Sequence, residues 1–338
     1  MLRVHFTDRD LARVHVAKAP DPLWETVLGL QQLAQPVHGP VVYADWRRRA
    51  HAEVTERRLQ EQARLLVTLA PPGVDYFPDF LTPGAAADGL RCGLAALRST
   101  PPRQLRQEVP RAPRLSGPGT PPRWARELSS GDQLRLSELS DAIWSLHDVL
   151  VAPDWAHTAA TVAADRALRI RALDVGGVHG LLDSLRPVLD WRPPVLSGPY
   201  PVDLDIQLGG RGLRLIPSHF CWRTPVALVD ASLDPVLVYP IEHPMPSPGA
   251  TAGQCRHHVL AALLGRTRAG VLAGLDRTAT TGELACRLRI SPASASEHVR
   301  ALRDAGLAVS IRAGGRVIHI LTPLGNTLLA GDGTTSSQ

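Results

Sequence analysis

Apolar residues fall at helical spacing and then in strand alternation over residues 265–325. Leu284 and Leu288 share a helical face at i, i+4. Thr280 and Glu283 stand at capping-box spacing before them, so each satisfies an amide donor at the helix start. After Arg289-Ile290, Ser291 supplies an N-cap and Pro292 a first-turn proline whose missing N–H costs nothing. The helix that follows, 291–305, places Ala295, Val299 and Leu302 at i, i+4, i+7, facing a core. Its opposite side presents Ala293, Glu297, Arg300 and Asp304, flanked by Ser294 and Ser296. Gly306 suits the left-handed position that ends a helix. Two β-prone runs, Leu307–Ile311 and Val317–Leu321, flank a predicted hairpin tip over 312–316, with an arginine on each side of two glycines. A last helix starts at Thr322-Pro323-Leu324.

The pattern before residue 245 is of another kind. Leu2–Phe6 alternates as a short strand, and Thr7 caps a brief helix. Asp21-Pro22 opens a helix that buries Trp24, Val27, Leu28 and Leu33. Helical patterns recur at about 52–69, 85–98, 133–150 and 155–186. Leu139, Ile143, Leu146 and Leu150 form the stripe of the third, and Asp154 is the expected N-cap of the last. Residues 100–122, rich in Pro and Arg, read as an exposed loop. Strand patterns then dominate: Val202–Leu208 alternates, Gly209–Gly212 turns, and Leu213–Leu215 returns as a hairpin partner. Shorter runs follow at 226–229 and 236–239. These elements predict an α+β, mainly helical chain: an N-terminal helical domain with short strands over 1–245 and a linker over 246–253. A winged helix-turn-helix over 254–330 and a disordered tail over 331–338 complete it.

The string ELACRLRISPASASEHVRALRDAGLAVSIRAGGRVIHILTPLG resembles the ArsR-type winged helix-turn-helix regulators of bacteria. The resemblance covers about residues 254–330. HFTDRDLARVHVAKAPDPLWETVLGLQQL and GLRLIPSHFCWRTPVALVD extend the likeness to a group of actinobacterial regulators whose N-terminal domain has no assigned function. The resemblance implies a homodimeric, cytoplasmic transcriptional regulator, by expectation a repressor, that binds double-stranded DNA. Helix 291–305 would read the major groove and the wing 312–316 the backbone or minor groove. The residues so assigned are Ser291, Ala293, Ser294, Ser296, Glu297, Arg300, Arg312 and Arg316. Metal-sensing members carry a Cys-x-Cys at the start of the first motif helix; this chain has Thr280-Thr281-Gly282 there, with Cys286 alone. One thiol does not make a tetrahedral site, so no metal or cofactor is expected.

Charge supports the same reading. The ten arginines from residue 250 onward face five acids, so that segment holds the whole net charge of +5 and residues 1–249 balance. A basic excess confined to one module fits a phosphate-binding surface. Arg268 and Arg303 are candidates for ion pairs within the module, and His298 for a structural hydrogen bond at the helix flank. His257-His258 and His319 have no acidic or thiol partner at ligand spacing. The helix 254–264, with Val259, Leu260, Leu263 and Leu264, fits either a two-fold axis or the N-terminal domain.

The N-terminal region carries no HExxH, G-x-S-x-G or phosphate-loop motif, and Lys18 is the only lysine. No catalytic residue is assigned and no enzyme is expected. The alternative is an enzyme or protein-interaction protein with an appended winged helix. His219, Cys221 and Trp222 share a short loop, which reads as packed structure before it reads as a nucleophile site. Trp24, Trp46, Trp144, Trp155, Trp191 and Trp222 line either a core or a small-molecule effector pocket. Four scattered cysteines suit a reducing compartment as buried apolar residues. No signal peptide pattern opens the chain, and no apolar run reaches the roughly 18 residues that span a bilayer.

Overall fold

The computed structural model describes all residues except 36–39, 74–75, 113–114, 116–119, 229–232, 244–259, 262, 276–277, 314–315 and 331–338. The expected linker and tail lie outside the described residues, as do His257, His258 and Cys255. The fold is α+β and mainly helical, in two compact units, Met1–His243 and Pro244–Gln338.

Two cores build the first unit. In the helical core, α2 (Pro22–Leu33) is buried on nearly every side and carries Asp21 as N-cap, as its sequence predicts. Around it pack α3 (Ala44–Glu56), α4 (Gln60–Leu69), α5 (Leu90–Arg98), α6 (Pro102–Glu108), α7 (Arg123–Ser130) and α8 (Gln133–Leu150). All four stripe residues of α8 are buried, and Asp132 caps its first turn. The run expected at 52–69 is two helices, because Arg58 takes a left-handed backbone at φ 56°. Gly89, at φ 117°, likewise separates a 3-10 turn, Gly84–Asp88, from α5.

The second core lies against two small sheets and the end of α9 (Trp155–Asp183). The expected single helix at 155–186 reverses at Gly177, which adopts φ 60° and ψ −160°. Arg169 then reaches the Ser184 carbonyl, while its guanidinium pairs with Asp165 at 2.7 Å. Asp154 does not cap α9 with its side chain; it binds Arg49 at 2.8 Å instead.

One sheet has the order β3 (Asp190–Arg192), β4 (Val195–Gly198), β1 (Leu2–His5), β5 (Leu204–Gln207). The other runs β2 (Val14–Val16), β6 (Leu213–Ser218), β8 (Val236–Pro240), β7 (Val226–Ala227). The hairpin expected between 202–208 and 213–215 is absent. β5 pairs parallel to β1, and β6 pairs parallel to β2 and β8 in the other sheet. Gly209, Gly210 and Gly212, with φ of 64°, 86° and 82°, carry the chain from one sheet to the other. The step copies that between β1 and β2, where α1 (Asp8–Leu11) is capped reciprocally by Thr7 and Asp10. Asp10 joins the two steps by accepting the Gly212 N–H at 2.9 Å. A Cβ at Gly212 would lie 2.4 Å from that of Arg13, so the ribbons touch through main chain.

The Pro-rich segment is not an exposed loop in its first half. Pro101 and Pro102 start α6 where a missing N–H is harmless. Leu105, Val109 and Ala112 are then buried in the helical core, and Glu108 accepts the Phe80 N–H at 2.8 Å. Leu105→Ala should therefore cost about 2–5 kcal/mol, as for other fully buried leucines. A urea unfolding midpoint unchanged by this substitution would contradict the packing.

The tryptophans divide. Trp24, Trp46 and Trp191 are buried, Trp155 and Trp222 are partly buried against the helical core, and Trp144 is exposed beneath the Arg91 guanidinium. Cys221 is buried as expected, whereas Cys92 and Cys286 are exposed. Among the described residues no helix is long and apolar enough to cross a membrane.

Candidate nucleic-acid interface

The second unit has its own core, in which Val271, Leu272, Leu284, Val299, Leu302 and Leu321 meet. Its elements are α10 (Arg266–Gly274), β9 (Ala279–Thr280), α11 (Thr281–Leu288), α12 (Pro292–Asp304), β10 (Ala308–Ala313), β11 (Arg316–Leu321) and α13 (Pro323–Ala330). Most of the helix suggested at 254–264 lies outside the described residues. Leu260 is buried in this unit's core, and Leu263 is exposed.

Local chemistry sets the angle between α11 and α12. Thr280 accepts the Glu283 N–H at 3.3 Å and donates its own N–H to the Glu283 carboxylate at 2.8 Å. Arg289 ends α11 in the left-handed region at φ 53°, which sends the chain round to Ser291. The Ser291 hydroxyl accepts the Ser294 N–H at 3.1 Å, with Pro292 in the first turn. At the far end Gly306 is left-handed at φ 72°, and the Leu307 N–H returns to the Leu302 carbonyl at 2.8 Å. Such a 6→1 bond closes a helix that stops sharply.

These constraints leave α12 with two unlike faces. Ala295, Val299 and Leu302 are buried, while Ala293, Ser296, Glu297 and Arg300 are exposed. Ser291 is exposed with its hydroxyl engaged as the cap. Ser294 is half-buried, and its hydroxyl bonds His298 Nε2 at 3.2 Å. His298 thus makes the flank hydrogen bond expected of it. The Arg303 guanidinium lies 3.9 Å from Asp304, and Arg268 forms no ion pair among the described residues.

The wing is a regular antiparallel hairpin, longer than its apolar runs suggest. Arg312 pairs with Val317 and Ala313 with Arg316, so both arginines belong to strands. Arg312 is exposed; the side chain of Arg316 lies outside the described residues. His319 is buried at the hairpin base, where Nε2 meets the Thr281 hydroxyl and Nδ1 the Ser310 hydroxyl, both at 2.8 Å. Burial, then the nearby Arg303 charge, lowers its pKa. Its ring therefore ties the wing to the start of α11, a role its spacing in sequence does not reveal.

The loop that holds His219 and Cys221 in the first unit does not join them as base and nucleophile. The Cys221 thiol donates to the Thr224 carbonyl at 3.3 Å, and burial pushes its pKa up. His219 Nδ1 meets the Thr161 hydroxyl at 3.3 Å, and burial, then His243 and His157, push its pKa down to about 3.

A family model described as a helix-turn-helix domain matches residues 263–311, which run from before α10 into β10. No curated protein and no solved structure matches the chain. The C-terminal region is thus a helix-turn-helix domain of the DNA-binding kind, and the chain is consistent with a regulator of transcription.

Proposed function

We propose that this protein is a sequence-specific regulator of transcription of the ArsR type, acting as a homodimeric repressor. In this reading α12 enters the major groove and the wing follows the phosphate backbone or the minor groove. Arg300 suits guanine, Glu297 suits the cytosine amino group, and Ser296 and Ala293 accommodate either partner. Arg312 and Arg316 bind phosphates, and the Ser291 and Ser294 main chain at the helix start adds to them. The two copies would place their α12 helices about 34 Å apart, one helical turn of duplex. The first unit senses an effector or supports the dimer. One observation carries the reading. The α12 face left exposed by a fully capped and packed helix lies in the module that also holds the whole net positive charge.

Binding of the purified protein to the duplex upstream of its own gene, measured as salt is raised, tests it. Affinity should fall linearly with salt on logarithmic axes, at about 0.9 per neutralised phosphate. Absence of salt-sensitive binding to any duplex would sink the regulator reading.

A further inference from the structure

Ser294 and His298 stand one turn apart on a flank of α12, beside the exposed face that carries Glu297 and Arg300. Both are half-buried. The Ser294 hydroxyl lies 3.2 Å from His298 Nε2, and no other described group bonds either side chain. The second ring nitrogen, Nδ1, is buried without a partner.

That bare nitrogen sets the direction of the bond. A neutral imidazole carries one N–H and one lone pair, on different nitrogens. With the proton on Nδ1, a buried N–H would have no acceptor, an arrangement that native interiors rarely tolerate. With the proton on Nε2, the orphan is only a lone pair, and the N–H donates to Ser294 Oγ. A ring protonated on both nitrogens donates from Nε2 as well. In either state Ser294 Oγ accepts, so its own hydrogen is left over. No carbonyl among the described residues takes that hydrogen.

We propose that His298 positions the Ser294 hydroxyl as a hydrogen-bond donor to the duplex. The contact rests on the regulator reading above, in which α12 enters the major groove. The group it suits is an acceptor: a phosphate oxygen, guanine O6 or N7, adenine N7, or thymine O4. The reverse tautomer would leave Ser294 with lone pairs alone, fit for the amino groups of cytosine and adenine. His298 touches no base in this arrangement. It acts through Ser294, and the polarity of one contact depends on it.

Two measurements test this, one of them without DNA. The full chain carrying nitrogen-15 histidine is examined by NMR in mildly alkaline solution, with the His298 signals identified by their loss in His298→Gln. Nε2 should be protonated and Nδ1 bare; the opposite tautomer overturns the proposal. Affinity for the promoter duplex, and base preference in a random duplex pool, are then compared for Ser294→Ala, His298→Ala, the double variant and His298→Gln. Ser294→Ala should weaken binding by about 3- to 10-fold, the worth of one neutral hydrogen bond. His298→Ala should lose a similar factor, and the double variant should be no weaker than Ser294→Ala. His298→Gln should restore binding, because its amide N–H donates to Ser294 again. A relaxed preference at one position would place the acceptor on a base edge, and a uniform loss on a phosphate. Full affinity in Ser294→Ala, additive losses in the double variant, or no rescue by His298→Gln overturns the positioning role. A wild type that binds no duplex defeats the regulator reading and the contact with it, while the ring assignment is decided by NMR alone.

Discussion

Alanine at both Arg300 and Arg312 should lower affinity for a promoter duplex by about 10- to 100-fold at physiological salt, and should flatten its salt dependence. Neither guanidinium bonds any other described residue, and both are exposed, so little folding energy rides on them. The two changes should differ in kind. Arg312→Ala removes a phosphate contact, so it weakens binding to all duplexes alike and lowers the salt slope by about 1. Arg300→Ala removes a base contact worth about 1–3 kcal/mol, so it relaxes preference at one position of the site. Competition between specific and random duplex distinguishes them. Equal affinity and equal slope in the double variant would remove α12 and the wing from the interface.

The second large effect lies in the first unit. Glu25 is fully buried and accepts the main-chain N–H groups of His219 and Phe220, at 2.9 and 3.1 Å, and the Ser218 hydroxyl at 3.2 Å. Ser218 in turn accepts the Cys221 N–H at 3.1 Å. One carboxylate on α2 therefore organises the turn that follows β6. Glu25→Ala leaves three donors unpaired in the core and should cost about 3–5 kcal/mol. All seven tryptophans lie in this unit, so urea unfolding followed by fluorescence reports on it alone. The wild type should also show a pH signature. Burial, outweighing the three hydrogen bonds, raises the Glu25 pKa to about 7 from 4.5. Between those values the folded chain holds the proton that the unfolded chain has lost. This contribution to stability is thus full below about 4.5 and declines as pH rises to about 7. Glu25→Ala should lose that slope; a variant with unchanged midpoint and slope would show that the carboxylate does not hold the turn.

The module around α12 was legible because its determinants are local. Thr280 and Glu283 are three residues apart, as are Ser291 and the amide it caps, and the buried stripe of α12 repeats within one helix. The α8 stripe was legible for the same reason. The first unit hid its pairing because its strands are short and their partners distant: β1 lies beside β4 and β5, about two hundred residues away. The Gly209–Gly212 turn read as a hairpin because positive φ angles serve a sheet-to-sheet step as well as a tight return. Prolines at 101 and 102 read as breakers because only the burial of Leu105 shows that they begin a helix.

By itself the sequence determined which stretches become the motif helices, which face of α12 is apolar, and where the positive charge is confined. Those follow from side-chain spacing along one chain segment. Tertiary structure alone decided that Glu25 reaches the β6 turn, that His319 joins two hydroxyls, and that His298 Nδ1 is buried without a partner. Such groups are brought together by packing of distant segments, and no local periodicity records which buried polar atoms will remain without a partner.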